Sequence, residues 1–155
     1  MADQVFNIAK GKVAQYFQNV EDGSPANAKI YMIVFNSSDT DDAVRDCDTV
    51  AAIEALSSTA EVTNTNYSRK EILAADITIT IDDTNNRVDI DIADESWTAV
   101  AAGTAWTDIC LAYDPDSTTG TDSTLVPLTW HDFAVTPDGS DITAQINASG
   151  VFRAA

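Results

Sequence analysis

Short apolar runs separated by closely spaced turn residues mark this chain as strand-built. The clearest signal lies mid-chain. Ile77, Ile79 and Ile81 alternate with Thr78 and Thr80, and Val88, Ile90 and Ile92 alternate with Asp89 and Asp91. Asp82-Asp83-Thr84-Asn85-Asn86-Arg87 lies between them, so the pattern predicts a β-hairpin with one apolar and one solvated face. Ala28–Phe35 is a nearly continuous, β-branched apolar run and predicts a central strand covered on both faces. Thr107–Tyr113 predicts another strand, with Ile109, Leu111 and Tyr113 on one face. Phe133 and Val135 lead into Thr136-Pro137-Asp138-Gly139, and Ile142, Ala144 and Ile146 lead out. Pro at the second position and Gly at the fourth predict a second hairpin, built on a type I turn and a glycine bulge. Gln4–Phe17 reads as two short strands around a kink at Lys10-Gly11-Lys12. One helix stands out: Asp48 or Thr49 can cap it, Val50, Ile53 and Leu56 recur at threes, and Val44 and Cys47 would extend the stripe back towards Asp42. Roughly nine or ten short strands and one short helix predict a mostly-β, antiparallel sandwich or jelly-roll-like barrel.

The length, 155 residues, suits a single β-rich domain over 1–155, with residues 1–20 as an N-terminal arm. The acids are 20 Asp against 5 Glu, which favours turns and caps over helix faces. Net charge is −17 and unevenly placed. In residues 1–35, Lys10, Lys12 and Lys29 offset Asp3, Glu21 and Asp22, so the whole deficit falls in residues 36–155. Such a charge repels nucleic acid and anionic membrane. The neutral first 35 residues are the part best able to lie against another protein. No secretory leader or membrane-length apolar run is expected from the pattern. Cys47 and Cys110 lack metal-site spacing and read as free, buried thiols.

Candidate chemistry is sparse. Asp114, Asp116 and Asp122 share the polar loop Asp114–Ser123, where a weak calcium site competes with plain turn chemistry. An EF-hand is excluded because Thr119 and Leu125 stand where Gly and Glu are required. Asp89 and Asp91 share a strand face, which favours solvation and edge protection over acid–base work. His131, in Trp130-His131-Asp132, has no nucleophile elbow to serve and reads as structural. Trp97, Trp106 and Trp130 could form a sugar platform, but core packing is the commoner role. No cofactor and no enzymatic activity are expected.

Several stretches carry a resemblance: Asn7-Ile-Ala-Lys-Gly-Lys-Val-Ala, Asp82-Asp-Thr-Asn-Asn-Arg-Val-Asp, Tyr113-Asp-Pro-Asp, Val126-Pro-Leu-Thr-Trp-His-Asp-Phe-Ala-Val-Thr-Pro-Asp-Gly-Ser-Asp and the closing Gly150-Val-Phe-Arg-Ala. Together they resemble small acidic virion proteins of tailed bacteriophages, across nearly the whole chain. The resemblance implies a capsid decoration (cement) protein, made in bacterial cytoplasm, placed on the capsid exterior and often trimeric. Its partners would be the major capsid protein and its own copies. On that reading Phe6, Ile8, Lys10, Lys12 and Phe17 form the contact with capsid or sister subunit, by strand addition. The alternatives are a tail or fibre-associated component, and a calcium- or glycan-binding β module.

Overall fold

The structure is a computed structural model, and it describes residues 3–155. The chain is mostly β, with antiparallel sheets in a sandwich-like arrangement. Its strands are β1 (Gln4–Val5), β2 (Lys29–Ser37), β3 (Thr59–Glu61), β4 (Lys70–Ile72), β5 (Ile77–Asp82), β6 (Arg87–Ile92), β7 (Glu95–Trp97), β8 (Trp106–Asp114), β9 (Val126–Val135), β10 (Ile142–Ala144) and β11 (Phe152–Ala154). Three short α-helices join them: α1 (Val13–Glu21), α2 (Asp41–Arg45) and α3 (Val50–Glu54).

The main sheet runs β1-β9-β8-β2-β3, with β4 also paired to β2. The apolar run Ala28–Phe35 becomes β2 at its centre, and Ile30, Met32, Ile33, Val34 and Phe35 are all buried because both faces are covered. One face carries Phe35 and Trp130. Their rings stand 5.2 Å apart, and Phe6 meets Trp130 edge-on at 6.1 Å. Segment 40–56 lies on this side. The Gln4 amide donates to Asp41 C=O (3.2 Å) and Val50 N–H to Leu125 C=O (3.1 Å). The other face, with Met32, Ile109 and Leu111, lies under α1, the small sheet β11-β6-β5 and the pair β10-β7.

The predicted mid-chain hairpin is present. Ile77 pairs with Ile92, Ile79 with Ile90 and Ile81 with Val88. Its turn works through Asp82, whose carboxylate accepts Asn85 N–H (3.1 Å) and the Asn85 amide (2.7 Å), while Asn86 takes the left-handed conformation at φ +53°. Asp89, on the outer face, bridges Arg87 (3.0 Å) and Arg153 (2.5 Å). The closing Gly150-Val-Phe-Arg-Ala supplies β11 as a third strand. Gly150 sits at φ +81°, and a Cβ there would collide with Ile90 C=O, so only glycine lets the chain approach β6 this closely.

Two expectations are corrected, and the open start of the helix is fixed. Residues 13–17 are helical, not a strand: Val13, Phe17 and Val20 fall on one face at helical spacing and bury it against the core. The helix expected at Val50–Leu56 is present and capped by Thr49, but it does not run back to Asp42. Asp41–Arg45 is a separate turn with its own cap, Thr40. The second hairpin does not close on β9. Gly139 N–H donates to Val100 C=O (2.8 Å) and Val100 N–H to Ser140 C=O (3.1 Å), which steers Ile142–Ala144 to pair with Glu95–Trp97 instead. The expected type I turn does not close either: Gly139 N–H is spent on Val100 rather than on Thr136 C=O, and the chain bends at Gly139 and Ser140.

Candidate functional site

The residues expected to form a contact patch are divided by the fold. Val5 pairs with Thr129, which carries the chain into a 3-10 turn at Asn7–Ala9 and then, through Gly11, into α1. Phe6 and Phe17 point inward and are fully buried, Phe6 against Trp130 and Phe17 under α1. They belong to the chain's own core and are not offered to a partner. Ile8, Lys10 and Lys12 stay outside, with Ile8 39% exposed. The Lys10 ammonium donates to the Asn7 side chain (2.6 Å), and Asn7 in turn donates to Asp46 (2.5 Å), so the knuckle is anchored to α2. The arm expected over 1–20 is thus integrated into the domain through residues 4–20, and its first two residues lie outside the described residues.

The Asp114–Ser123 loop is organised by its own hydrogen bonds. Asp114 is buried and accepts Asp116 N–H (3.1 Å). Asp116 accepts Thr118 N–H (3.2 Å), Thr118 Oγ1–H (2.6 Å) and Thr119 Oγ1–H (3.2 Å), and these bonds hold its carboxyl below the usual range. Asp122 is engaged elsewhere, by the Arg69 guanidinium at 2.5 Å. The three carboxylates therefore have separate partners. Among the described residues no group of three or more His, Cys, Asp or Glu is placed to hold a metal ion.

Arg69 is a hub that sequence reading missed. It donates through Nε to Glu61 (2.9 and 3.1 Å), through Nη2 to Glu61 (2.6 Å) and Glu54 (3.5 Å), and through Nη1 to Asp122. Tyr67 adds its hydroxyl to Glu61 (2.8 Å) and accepts Val34 N–H (3.0 Å). Burial works against the Arg69 charge, but the bonds and charges of Glu61 and Asp122 outweigh it and raise its pKa. Burial, and then the charge of Asp122, push Glu54 above the usual carboxylate range. One guanidinium thus ties β3, α3, β4's approach and the acidic loop together. The only hint in the sequence is scarcity: eight cations serve twenty-five acids.

His131 lies on β9 with Nε2 against Thr129 Oγ1 (2.9 Å) and Nδ1 3.6 Å from Asp3. Burial lowers its pKa, with Asp3 acting in the opposite sense. Beside it is a cleft of about 220 Å³, floored by Met32, Ile109 and Leu111 and walled by Ala144, Ile146 and Val151. The three tryptophans do not form a platform. All are buried: Trp97 packs on Trp106 (5.1 Å), and the Trp130 indole donates to Asp108 (2.9 Å). Cys47 and Cys110 are free and buried, and burial pushes both thiols up.

Asp108 gives a testable pH response. It is 1% exposed, it stands directly across from Asp132 in the β8–β9 register, and burial raises its pKa, while Thr107 and Trp130 donate to it. A carboxyl raised on folding contributes stability that is present below its unfolded value and lost as pH rises through its folded one. Asp108→Asn removes that loss. At pH 7 the variant is expected to melt at or a few degrees above the parent, and the gap should close as pH falls towards 4. His131 and the other groups are common to both proteins, so the difference between the two melting curves isolates Asp108. A gap that widens on acidification would assign the opposite sign.

Comparison with models of known protein families, with curated proteins and with solved structures finds no match.

Proposed function

We propose that this chain is a structural protein of a bacteriophage virion. On this reading it is a capsid decoration protein that stabilises the head through contacts with the major capsid protein and with its own copies. The observation that carries the assembly reading is the knuckle between β1 and α1. It presents Lys10 and Lys12 beside the exposed Ile8, on a protein of net charge −17. Two cations flanking an apolar contact suit an acidic, partly apolar surface, and the rest of the coat opposes indiscriminate association. The phage and capsid parts of the reading are supported by the sequence stretches already named. The trimeric state is what the resemblance implies for proteins seated at threefold positions of such shells.

The test is co-sedimentation of the purified chain with shells assembled from the major capsid protein of the same virion. The parent is expected to pellet with the shells, and Lys10→Glu/Lys12→Glu to bind about tenfold more weakly, more so at low salt. Both positions are exposed, so the variant's melting temperature should hold. Native mass should correspond to three copies. Failure of the parent to pellet would overturn the capsid reading, and antibody labelling on the tail would move the protein there.

A further inference from the structure

Along β5 the backbone hydrogen bonds alternate sides. Ala93 N–H donates to Asp76 C=O (2.9 Å), which makes Asp76 and Ala93 a bonded pair in the register that continues from Ile77↔Ile92 to Asp82↔Arg87. Bonded pairs recur at every second residue, so Thr78, Thr80 and Asp82 turn their N–H and C=O groups towards β6, and Ile77, Ile79 and Ile81 turn theirs away. The far side of β6 shows the same phase. Val151 N–H reaches Ile90 C=O (2.8 Å), and Ile90 is the residue opposite Ile79. Ile77 N–H closes the preceding 3-10 turn on Ala74 C=O. Ile77 C=O and both backbone groups of Ile79 and Ile81 remain aimed at an edge where, among the described residues, β5 has no strand neighbour.

This edge lacks the protection the other edges have. Among the described residues, the other edge strands run two or three residues: β1, β3, β4, β7, β10 and β11. β5 runs six and carries no Lys, Pro or charge between Ile77 and Ile81. Natural edges are normally kept short, charged or bulged because an open row of backbone groups templates another strand. Two of the exposed large apolar residues flank it, Ile81 at 73% and Leu73 at 47%. Charges stand at its two ends, Asp76 on one side and Asp82 and Asp83 on the other.

That charge pattern discriminates between occupants. A second copy adding antiparallel with the greatest overlap of outward-bonding residues centres on Ile79 and sets Ile77 opposite Ile81. Registers shifted by two residues keep isoleucines aligned but run Ile77 or Ile81 out against the turn or the 3-10 segment. The centred register sets Asp76 opposite Asp82 at both ends, and like charges directly opposed across strands are destabilising. A foreign strand with Lys or Arg at those two positions meets the acids with opposite charge, most directly at Asp76, since Asp82 already shares its carboxylate with Arg87 (3.2 Å) and Asn85. We propose that the outer edge of β5 is a strand-docking site for an extended segment of a partner protein, with alternating apolar residues over Ile77, Ile79 and Ile81 and basic residues against Asp76 and Asp82. The backbone edge supplies binding and the flanking charges supply selectivity. The proposal rests on the assembly reading for its biological partner but assigns a different contact from the Lys10–Lys12 knuckle.

The test uses the full chain, isotope-labelled, and a synthetic peptide Lys-Val-Thr-Val-Thr-Val-Lys. Amide exchange at Ile79 and Ile81 is expected to slow by about tenfold or more at saturation, and the Glu-flanked counterpart to bind roughly tenfold more weakly. Ile81→Pro removes one outward N–H at an exposed edge position where Pro is tolerated, and should abolish the protection at Ile79. N-methylation of the peptide's own edge amides should do the same without altering the protein. Equal binding of the Glu-flanked peptide, or binding without protection of these two amides, would overturn the proposal. Concentration-dependent protection of the same amides in the chain alone would also overturn it, in favour of a second copy. If shells capture Ile81→Pro as well as the parent, the edge fails as the capsid contact while the capsid reading stands. If the peptide docks but shells capture nothing, the reverse holds.

Discussion

Phe17→Ala is expected to lower the unfolding free energy by about 3–5 kcal/mol. The ring is fully buried on the inner face of α1, in line with Val13 and Val20, between the main sheet and the β5-β6-β11 layer. Truncation leaves a cavity that a nine-residue helix packed on both sides cannot close by shifting. Domains of this size are stable by about 5–15 kcal/mol, so the loss is a large part of the total. Deleting residues 1–17 should go further and unfold the chain, because it also removes β1 from the edge of β9 and Phe6 from Trp130. A denaturant midpoint measured alongside shell binding separates the two roles open to Phe17. A variant that keeps its midpoint but loses shell binding would return Phe17 to the interface.

How far the sequence could be read depends on the range of the interaction concerned. The β5–β6 hairpin was legible because alternation, turn residues and pairing all lie within a few positions of one another. The central strand was legible because an apolar run bounded by polar segments has few other solutions. The helix at Val50–Glu54 was legible through its Thr49 cap. The helix at Val13–Glu21 was not, because Val13, Tyr16 and Phe17 fit either period when read with Val5, Phe6 and Ile8. Its stripe emerges only when Val20 is counted with Val13 and Phe17. Hydrophobicity alone cannot separate a core contact from an interface contact, so Phe6 and Phe17 read in sequence like Ile8 although the fold buries them. The partners of Ile142–Ala144 and of Arg69 lie tens of residues away in sequence, and no local rule selects them. The open edge of β5 lay between these extremes. Its alternation was plain in the sequence, but its lack of a second neighbour is a property of the whole sheet order.

Arg69→Met should cost about 2–4 kcal/mol at neutral pH. The figure lies below that of a fully buried pair because the Arg69 side chain is 27% exposed and solvent screens part of the loss. The methionine keeps most of the packing volume but leaves Glu54, Glu61 and Asp122 facing one another without the cation that bridges them. Tyr67, bonded to Glu61 and to Val34 N–H, transmits that repulsion to the central strand. The sign of the pH response identifies the cause. Mutual repulsion raises the folded carboxyl pKa values, so the variant's missing stability should return as pH falls through 5 towards 4, approximately the range where Asp and Glu take up protons. A packing defect would leave the deficit constant with pH. Arg69→Lys restores the charge without the planar fork and should recover about half of the loss. Glu54→Gln should be neutral or slightly stabilising, since its carboxyl is already pushed up by burial and by Asp122, and Arg69 retains Glu61 and Asp122 without it. Parallel urea titrations of the three variants at pH 7 and pH 4.5 decide between the two causes: convergence of the Arg69→Met and parent midpoints at the lower pH shows that charge neutralisation is what the guanidinium supplies, and a constant separation shows that its contribution is steric.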